Sequence, residues 1–397
     1  MPVTISPSLF ERMVSLRREF HRHPELSWKE RRTAGRIHSE LESSGLRPRR
    51  LMETGVVADI PGPPGIPMVA LRADIDALPI HEETGLPYAS GVDRVMHACG
   101  HDAHIAMVLG AVELLADSAP LPAPVRLIFQ PAEEVGAGAR AMVEAGALTG
   151  VGAVFGGHVD RHFPSGTIVA ARGVVNASTD TFRIRIRGRQ GHAARPHETV
   201  DAVVAGSLIV MALQTIVSRE IDPAHPSVLT VGRFDAGSAA NVIAGAAVLE
   251  GTIRAQEAAV RNHLVASIRR ICDSIGQVHQ ADIEVELSDG TPALVNRGAM
   301  TTVAQEAAVS VVGPKWVRRA MRGANMGGED FAWYLEEVPG CYVRFGARRS
   351  DSAGFPAHSS RFEIDEQVLA TGAAWFAEVA RLAGASLAGL EGGGQTS

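Results

Sequence analysis

Cysteine is scarce in this chain, and its few copies lie far apart. Only Cys99, Cys272 and Cys341 occur among 397 residues. An odd number at such wide spacing argues against a disulfide framework and for a reducing compartment. The first residues also lack the apolar run of a secretory signal, because acidic and basic residues interrupt them. We therefore expect a cytoplasmic protein.

Long runs of one charge sign and long apolar stretches are missing as well. The net charge is -6, so the basic surface that a nucleic-acid partner requires is not expected. The most apolar segment, residues 202–217, is short for a bilayer span and is flanked by Asp201 and Arg219. We expect a buried helix there and no membrane partner. The glycine-rich end, residues 384–397, is predicted to be disordered.

The length of the chain exceeds what a single core usually reaches, which predicts two domains or one domain with an insertion. The residue pattern changes character near residue 178 and again near residue 291. We therefore predict a discontinuous catalytic domain, residues 1–177 and 292–397, that carries an inserted domain at residues 178–291.

The two outer segments alternate short apolar runs with helical patterns. The predicted strands are VVADI (56–60), MVALRA (68–73), VRLIFQ (125–130), AVFGG (153–157) and CYVRFG (341–346), and the predicted helices begin near residues 102, 301 and 366. Strands that alternate with helices in this way predict an α/β fold with a mostly parallel sheet flanked by helices.

The middle segment has a different period. In TFRIRIRG (181–188) apolar residues alternate with arginines, which is typical of a strand with one solvent-exposed face. A helix near 199–218, strands at 227–232 and 246–255, a helix near 256–275 and a strand at 282–288 follow. The order βαββαβ predicts a ferredoxin-like domain.

Polar residues follow the predicted strands of the outer segments. They are Asp74 and Asp76 after MVALRA, Glu133 and Glu134 after VRLIFQ, His158 after AVFGG, His358 after CYVRFG, and His97, Cys99 and His101 in HACGHDAH before a helix. Ligands of open α/β sheets bind beyond the carboxyl ends of the strands, so these side chains are expected to converge there. Pro131 indicates that Glu133 and Glu134 begin a helix.

Imidazole, thiolate and carboxylate are the donors that zinc and similar divalent ions prefer. The set is too large for one tetrahedral site, which suggests two metals. One glutamate of the pair could bind metal while the other serves as general base for a metal-activated water. The competing interpretation is a Cys99 nucleophile with His97 or His101 as its base, which leaves the carboxylates and the distant histidines unexplained.

Several motifs together resemble one known group of enzymes. They are RREFHRHPELSWKE (17–30), RADIDALPI (72–80), MHACGHDAH (96–104), FQPAEE (129–134), GHV (157–159), GHAARPH (191–197), NVI (241–243), GTIRA (251–255), MGGEDF (326–331) and AHSSRF (357–362). The chain resembles, from about residue 8 to 382, the amidohydrolase group of dinuclear metallopeptidases that includes hippurate hydrolases, N-acyl-amino-acid amidohydrolases and indole-acetyl-amino-acid hydrolases. The resemblance implies a zinc-peptidase-like catalytic domain and an inserted lid domain through which two subunits form a homodimer.

The resemblance also implies roles for individual residues. Those that match ligands of two divalent ions are Cys99, His101, Glu134, His158 and His358. The ions are expected to be zinc or manganese, with cobalt or nickel possible, and the cysteine is expected to lie between them. Glu133 matches the general base. Asp74 matches an aspartate that orients a histidine ligand, but Arg72 stands in place of that histidine, so Asp74 is expected to lie behind the ligands at most.

The resemblance further implies that His192 of the inserted domain stabilises the oxyanion, in related enzymes in the partner subunit's site. Asn241 and Arg254 match positions that bind the polar end of the substrate. From the residue alone, Arg254 is equally well explained as an ordinary basic residue at a strand end. One departure, the run Gly157-His158-Val159-Asp160-Arg161, lacks the Leu before and the Trp-Pro after the histidine that many relatives have, which leaves substrate preference open.

The sequence thus predicts a metal-dependent amidohydrolase that cleaves small N-acyl amino acids into a carboxylic acid and an amino acid. A dipeptidase or aminopeptidase with the same metal chemistry is the main alternative. A cysteine-nucleophile hydrolase and a non-catalytic binding protein are the remaining ones.

Overall fold

The computed structural model describes residues 5–118, 120–321, 323, 325–350 and 354–392. The helices there are α1 Pro7–Arg22, α2 Arg31–Ser43, α3 His101–Ala116, α4 Gly138–Glu144, α5 Ala202–Thr215, α6 Ala258–His279, α7 Gly298–Val312, α8 Ala332–Glu337 and α9 Val368–Gly392. The strands are β1 Arg49–Leu51, β2 Gly55–Ile60, β3 Met68–Asp74, β4 Val125–Gln130, β5 Val151–Pro164, β6 Ile168–Val169, β7 Gly173–Asn176, β8 Ser178–Arg187, β9 Gly191–His192, β10 Ser227–Ala236, β11 Val242–Ile243, β12 Ala246–Ala255, β13 Asp282–Leu287, β14 Leu294–Asn296, β15 Val317–Arg318 and β16 Gly340–Arg348.

The chain divides into two compact units. The first contains Met1–Val175, Val295–Arg322 and Asp330–Ser397, and the second contains Asn176–Leu294 and Gly323–Glu329. The domain prediction from sequence placed all residues after 291 in the catalytic domain. Hydrogen bonds tie the short segment to the second unit instead, because Arg254 donates to the Met326 carbonyl and Asn176 donates to the carbonyls of Gly327 and Gly328.

A sheet with the strand order β1-β2-β4-β3-β5-β16-β6-β15 forms the centre of the first unit. Its middle strands β4, β3, β5 and β16 run parallel to one another. The side chains of β4 are buried on both faces of the sheet, as expected for a parallel strand covered by helices. The predicted α/β fold with a mostly parallel sheet is confirmed.

The parallel register aligns the carboxyl ends of neighbouring strands. Asp74, the last residue of β3, lies opposite Gln130, the last residue of β4. The loops that carry the aspartates after β3 and the glutamates after β4 therefore start side by side. The position of His158 differs from the prediction, which placed it just after the end of a strand, because β5 does not end before it. Pairing with β16 extends β5 to Pro164, and His158 lies within the strand opposite Arg344.

The second unit contains a four-stranded antiparallel sheet with the order β10-β12-β8-β13. Along β8, Phe182, Ile184 and Ile186 are buried, while the arginines between them pair with glutamates on the exposed face. With α5 after β8 and α6 after β12, the elements follow the predicted βαββαβ order. The alternation of apolar and charged residues thus sets which face of the sheet the helices cover.

Helix α5 is buried on one face only, contrary to the prediction of a buried helix. By length and hydropathy alone, Ala202–Glu220 would qualify as a membrane-spanning helix. Ala205, Ile209 and Leu213 are nevertheless buried in the core of the second unit. The opposite face exposes an apolar stripe that consists of Val203, Val204, Leu208 and Met211, of which Met211 is 70% exposed.

Helix α9 extends further than the sequence pattern predicts. It continues to Gly392, so the predicted disorder is wrong for residues 384–392. Ala383 and Leu387, one helical turn apart, are buried and continue the core-facing side of the helix. Residues 393–397 lie outside the described residues.

Candidate metal centre and active site

A tight loop, and not a helix, carries Glu133 and Glu134. Helix α4 begins only at Gly138, so the predicted helix start at Pro131 is wrong. Ala132 has a φ of 56°, in the left-handed region, which interrupts a right-handed helix. The loop folds back so closely that a Cβ atom on Gly138 would lie 1.6 Å from the Pro131 carbonyl oxygen. Only glycine fits there.

Cys99 and His101 lie on either side of a glycine that precedes α3. Gly100 has a φ of 93°, and a Cβ atom there would lie 2.4 Å from Cγ2 of Val159. The close approach brings the Cys99 Sγ atom to 3.2 Å from Nε2 of His158. Residues 59 positions apart in the chain are thereby neighbours in the site.

His358 reaches the same place from the end of the chain. Its backbone N–H donates to the Ala98 carbonyl oxygen at 2.8 Å, and its φ of 66° turns the loop there. The imidazole is about half exposed, and its Nε2 lies 3.4 Å from Oε2 of Glu134. The loop after β16 is thus anchored directly beside Cys99.

The structure brings all the predicted ligands together. Donor atoms within 4.8 Å of one another form the groups Cys99–His101–His158, Cys99–Glu134–His358 and His101–Glu133–Glu134. Two of these groups share the Cys99 thiol. His97 is absent from these groups of described residues. It is buried, its ring nitrogens have no hydrogen-bond partner in the described chain, and burial lowers its pKa to about 4.

The histidine ring orientations suit metal binding. Nδ1 of His101 lies 2.9 Å from the Asp76 carbonyl oxygen, and Nδ1 of His158 lies 2.6 Å from the Val159 carbonyl oxygen. Because a carbonyl can only accept, each Nδ1 donates its proton, and each Nε2 of the neutral ring is left with a lone pair. Nε2 of His101 lies 3.8 Å from oxygens of Asp74, Glu133 and Glu134.

Two donor atoms of the cluster lack a partner within the described residues. Oε1 of Glu134 and Nε2 of His101 are buried without a hydrogen-bond partner among the residues described. Burial, with Asp76 nearby, raises the pKa of Glu134 to about 7. Burial also raises the pKa of the Cys99 thiol far above its usual range. Lone pairs and carboxylates facing each other in a buried site fit divalent cations, which would satisfy every one of these donors.

Asp74 lies next to the predicted ligands and is hydrogen-bonded to residues outside that set. It is fully buried, and its two oxygens accept hydrogen bonds from Nη1 of Arg72 and Nδ1 of His104, both at 2.6 Å. His104 is not among the residues predicted from sequence, although it follows His101 by one helical turn. Nε2 of His104 accepts the N–H of Val159 at 3.0 Å, so this residue holds the backbone next to His158.

In the second unit, His192 and Asn241 are neighbours. Strand β9 pairs with β11 so that His192 lies opposite Val242, and the Ala193 N–H donates to the Asn241 carbonyl oxygen. The His192 side chain is exposed. Its Nδ1 accepts the N–H of Ala194 at 3.0 Å, so the neutral ring carries its proton on Nε2. His192 therefore presents a hydrogen-bond donor to solvent.

Arg254 lies in the four-stranded sheet, on strand β12. It is opposite Thr179, near the start of β8, whereas β9 follows the end of β8. The nine residues from Ala246 to Arg254 span about 26 Å of extended strand. Nη1 of Arg254 donates to the Met326 carbonyl and to Oγ1 of Thr179. The second unit thus does not bring Arg254 together with His192.

Comparison with known proteins identifies relatives along nearly the whole chain. The model of peptidase family M20/M25/M40 matches residues 70–382. An N-acetylcysteine deacetylase of Bacillus subtilis is 40% identical over 93% of this chain and 96% of its own. An indole-acetic-acid–amino acid hydrolase of Arabidopsis thaliana (ILR1-like 2) is 38% identical over 94% of this chain and 86% of its own.

A solved structure agrees with these matches. The Bacillus subtilis YXEP protein, described as a dinuclear metal binding peptidase of family M20, has a TM-score of 0.82 and 37% identity over 95% of this chain and 99% of its own. The resemblance seen in the motifs is confirmed. The chain belongs to peptidase family M20/M25/M40 and is a hydrolase of amide bonds.

Proposed function

We propose that this hydrolase cleaves N-acyl amino acids and that it does so with two divalent cations, zinc or manganese. The observation that carries the proposal is the Cys99 thiol shared by two donor groups, one with His101 and His158 and the other with Glu134 and His358. Two cations held by these residues would supply Lewis-acid activation of water and of the substrate carbonyl.

Glu133 is the general base of the proposed reaction. Its side chain is 12% exposed, and its Oε2 lies 3.8 Å from Nε2 of His101, at the edge of the donor cluster. Its neighbour Glu134 faces His358 and belongs to a donor group that Glu133 does not join. Glu133 therefore takes the proton of the attacking water and returns it to the leaving amine.

The state of the Cys99 thiol disfavours the nucleophile alternative. A cysteine nucleophile reacts as a thiolate, which requires a lowered pKa. Burial of Cys99, with Glu134 beside it, has the opposite effect and raises the pKa of the thiol. A divalent cation reverses this preference, because a coordinating thiol loses its proton. The surroundings of Cys99 thus favour a ligand over a nucleophile.

The second unit supplies groups for the substrate. The guanidinium of Arg254 suits an α-carboxylate, which it can bind through two parallel hydrogen bonds. His192, with the Nε2 proton that Ala194 imposes, suits the oxyanion of the tetrahedral intermediate. About 26 Å of strand β12 separates Arg254 from the end of β8 that leads to β9 and His192, so we do not expect one small substrate to contact both residues within one subunit. His192 and Asn241 therefore serve the site of a second subunit.

The dimer that this requires is proposed to form through the second unit. The apolar stripe of α5 consists of Val203, Val204, Leu208 and Met211, and it is the kind of surface that a second copy of the chain would cover. Met211→Glu is expected to give monomers in sedimentation experiments. Val278→Glu, on the equally exposed residue Val278 of α6, is the matched control and should leave the dimer intact. A dimeric Met211→Glu protein would contradict this interface.

A substrate panel tests the proposed activity. After loading with zinc, manganese, cobalt or nickel, the enzyme should hydrolyse N-acetyl and N-benzoyl amino acids faster than dipeptides with free amino ends. The corresponding amides, which lack the carboxylate, should be poor substrates because Arg254 has no anion to bind. With the same panel, Arg254→Ala should mainly raise KM, and His192→Ala should mainly lower kcat. Faster cleavage of dipeptides would favour the peptidase alternative.

A further inference from the structure

One stretch of the first unit, PELSWKE at residues 24–30, has no part in the proposed chemistry. It ends in Glu30, whose side chain is fully buried in the first unit. A buried carboxylate is costly unless hydrogen-bond donors surround it. Oε1 of Glu30 accepts the backbone N–H groups of Trp28 at 3.0 Å and of Ala132 at 2.9 Å. The carboxylate thus joins two segments that lie about a hundred residues apart.

The two residues that donate to Glu30 share an unusual conformation. Trp28 has a φ of 66° and Ala132 a φ of 56°, and both are in the left-handed region that residues with a Cβ atom rarely adopt. Neither is glycine, so each needs surrounding contacts to stay in this conformation. One carboxylate oxygen of Glu30 accepts a hydrogen bond from both.

Ala132 immediately precedes the two glutamates of the active-site loop. Its backbone conformation therefore sets the direction in which Glu133 and Glu134 leave the loop. On the other side of Glu133, the N–H of Glu134 donates to Oδ2 of Asp76 at 3.0 Å. Asp76 also accepts a hydrogen bond from Ser27, which belongs to the same stretch as Glu30. The backbone on both sides of Glu133 is thus fixed by a hydrogen bond, from the Ala132 N–H on one side and from the Glu134 N–H on the other.

We infer that Glu30 is a positioning residue, which keeps Ala132 in the left-handed conformation and so aims Glu133 at the reacting water and Glu134 at the cation. The inference rests on the proposed function for the role of Glu133. It does not depend on that function for Glu134, whose contribution to cation binding can be measured without a substrate.

Glu30→Ala is expected to lower kcat 10- to 100-fold, with KM within about threefold of wild type, because a misdirected base slows the chemical step. The affinity of the apoprotein for zinc, measured by calorimetric titration, should fall about tenfold. Burial raises the pKa of Glu30, which means that the site favours an uncharged side chain. Glu30→Gln keeps the accepting oxygen and should stay within about threefold of wild type in both measurements.

Two further variants separate positioning from general stability. Glu25 also accepts backbone N–H groups, but these are the N–H groups of Arg32 and Thr33, which do not belong to the glutamate loop. Glu25→Ala is therefore the matched control and should lower the melting temperature without lowering kcat. When Ala132→Gly is added to Glu30→Ala, kcat should rise at least threefold above that of Glu30→Ala alone, because glycine adopts a positive φ without strain.

The inference would be overturned if Glu30→Ala kept the wild-type kcat and zinc affinity. It would also be overturned if Glu25→Ala or Glu30→Gln lost as much kcat as Glu30→Ala does. If Glu30→Ala does not fold, Glu30→Asp replaces it, since the shorter side chain keeps the charge but withdraws the oxygen from Ala132. Glu30→Asp is then expected to lower kcat and zinc affinity in the same way, but by a smaller factor. Should Glu133 prove not to be the base, the zinc titration still decides the role of Glu30 through Glu134.

Discussion

Replacement of Glu133 by glutamine should lower kcat about a thousandfold while the cation content stays at the wild-type level. General acid–base catalysis of this kind contributes roughly 10²- to 10⁴-fold to a rate, and a thousandfold loss corresponds to about 4 kcal/mol. Glutamine has nearly the same size as glutamate but cannot take a proton from water. The loss should therefore appear in kcat, with KM little changed, in steady-state hydrolysis of an N-acyl amino acid.

The adjacent residue provides the matched control for this prediction. Glu134→Gln removes a charge from the same loop, but Glu134 belongs to the donor group with Cys99 and His358. This variant should lose cation affinity first, and added cation should restore part of its activity. If Glu133→Gln kept its rate, or if it lost cations as Glu134→Gln does, Glu133 would not be the general base.

Removal of the cations should abolish activity reversibly and destabilise the first unit. The donor cluster joins residues up to 259 positions apart in the chain, and without cations its lone pairs and carboxylates face one another. A site filled at one hundred times its dissociation constant contributes about 2.7 kcal/mol to stability. After dialysis against a strong chelator, the melting temperature should fall, and zinc or manganese should restore both stability and rate.

The same experiment separates the metal mechanism from the cysteine mechanism. Iodoacetamide should modify Cys99 faster in the chelated enzyme than in the loaded one, because a coordinated thiolate is protected. Cys272 and Cys341 are buried and free, and they serve as internal references in the mass spectrum. A chelated enzyme with an unchanged rate would favour Cys99 as the nucleophile.

The predictions made from sequence succeed where the information is local. Runs such as VRLIFQ and the alternation in TFRIRIRG correspond to strands β4 and β8 in the structure. A strand or helix period is carried by consecutive residues, and parallel strands must place their carboxyl ends at one edge. These two facts suffice to predict that Cys99, Glu134 and His358 meet, and the structure places them together.

The predictions fail where distant residues decide the conformation. Pro131 indicates a helix start for the glutamate pair, but Glu30 holds Ala132 in a left-handed conformation and the chain forms a loop. The strand around His158 is longer than its apolar run because β16 pairs with it. The role of His104 could not be predicted from the sequence, because it depends on Asp74 and the Val159 N–H, which lie on either side of its ring.

The amino-acid sequence by itself determined which donors are available, in what order the strands and helices come, and to which family of amide hydrolases the chain belongs. Only the tertiary structure decided how the donors are oriented: which histidine nitrogen is left with a lone pair, which glutamate faces His358, and which thiol is shared. The physical reason is that these orientations depend on single hydrogen bonds, such as those from the Ala132 N–H to Glu30 and from His101 to the Asp76 carbonyl oxygen. Such bonds join segments that no local pattern connects.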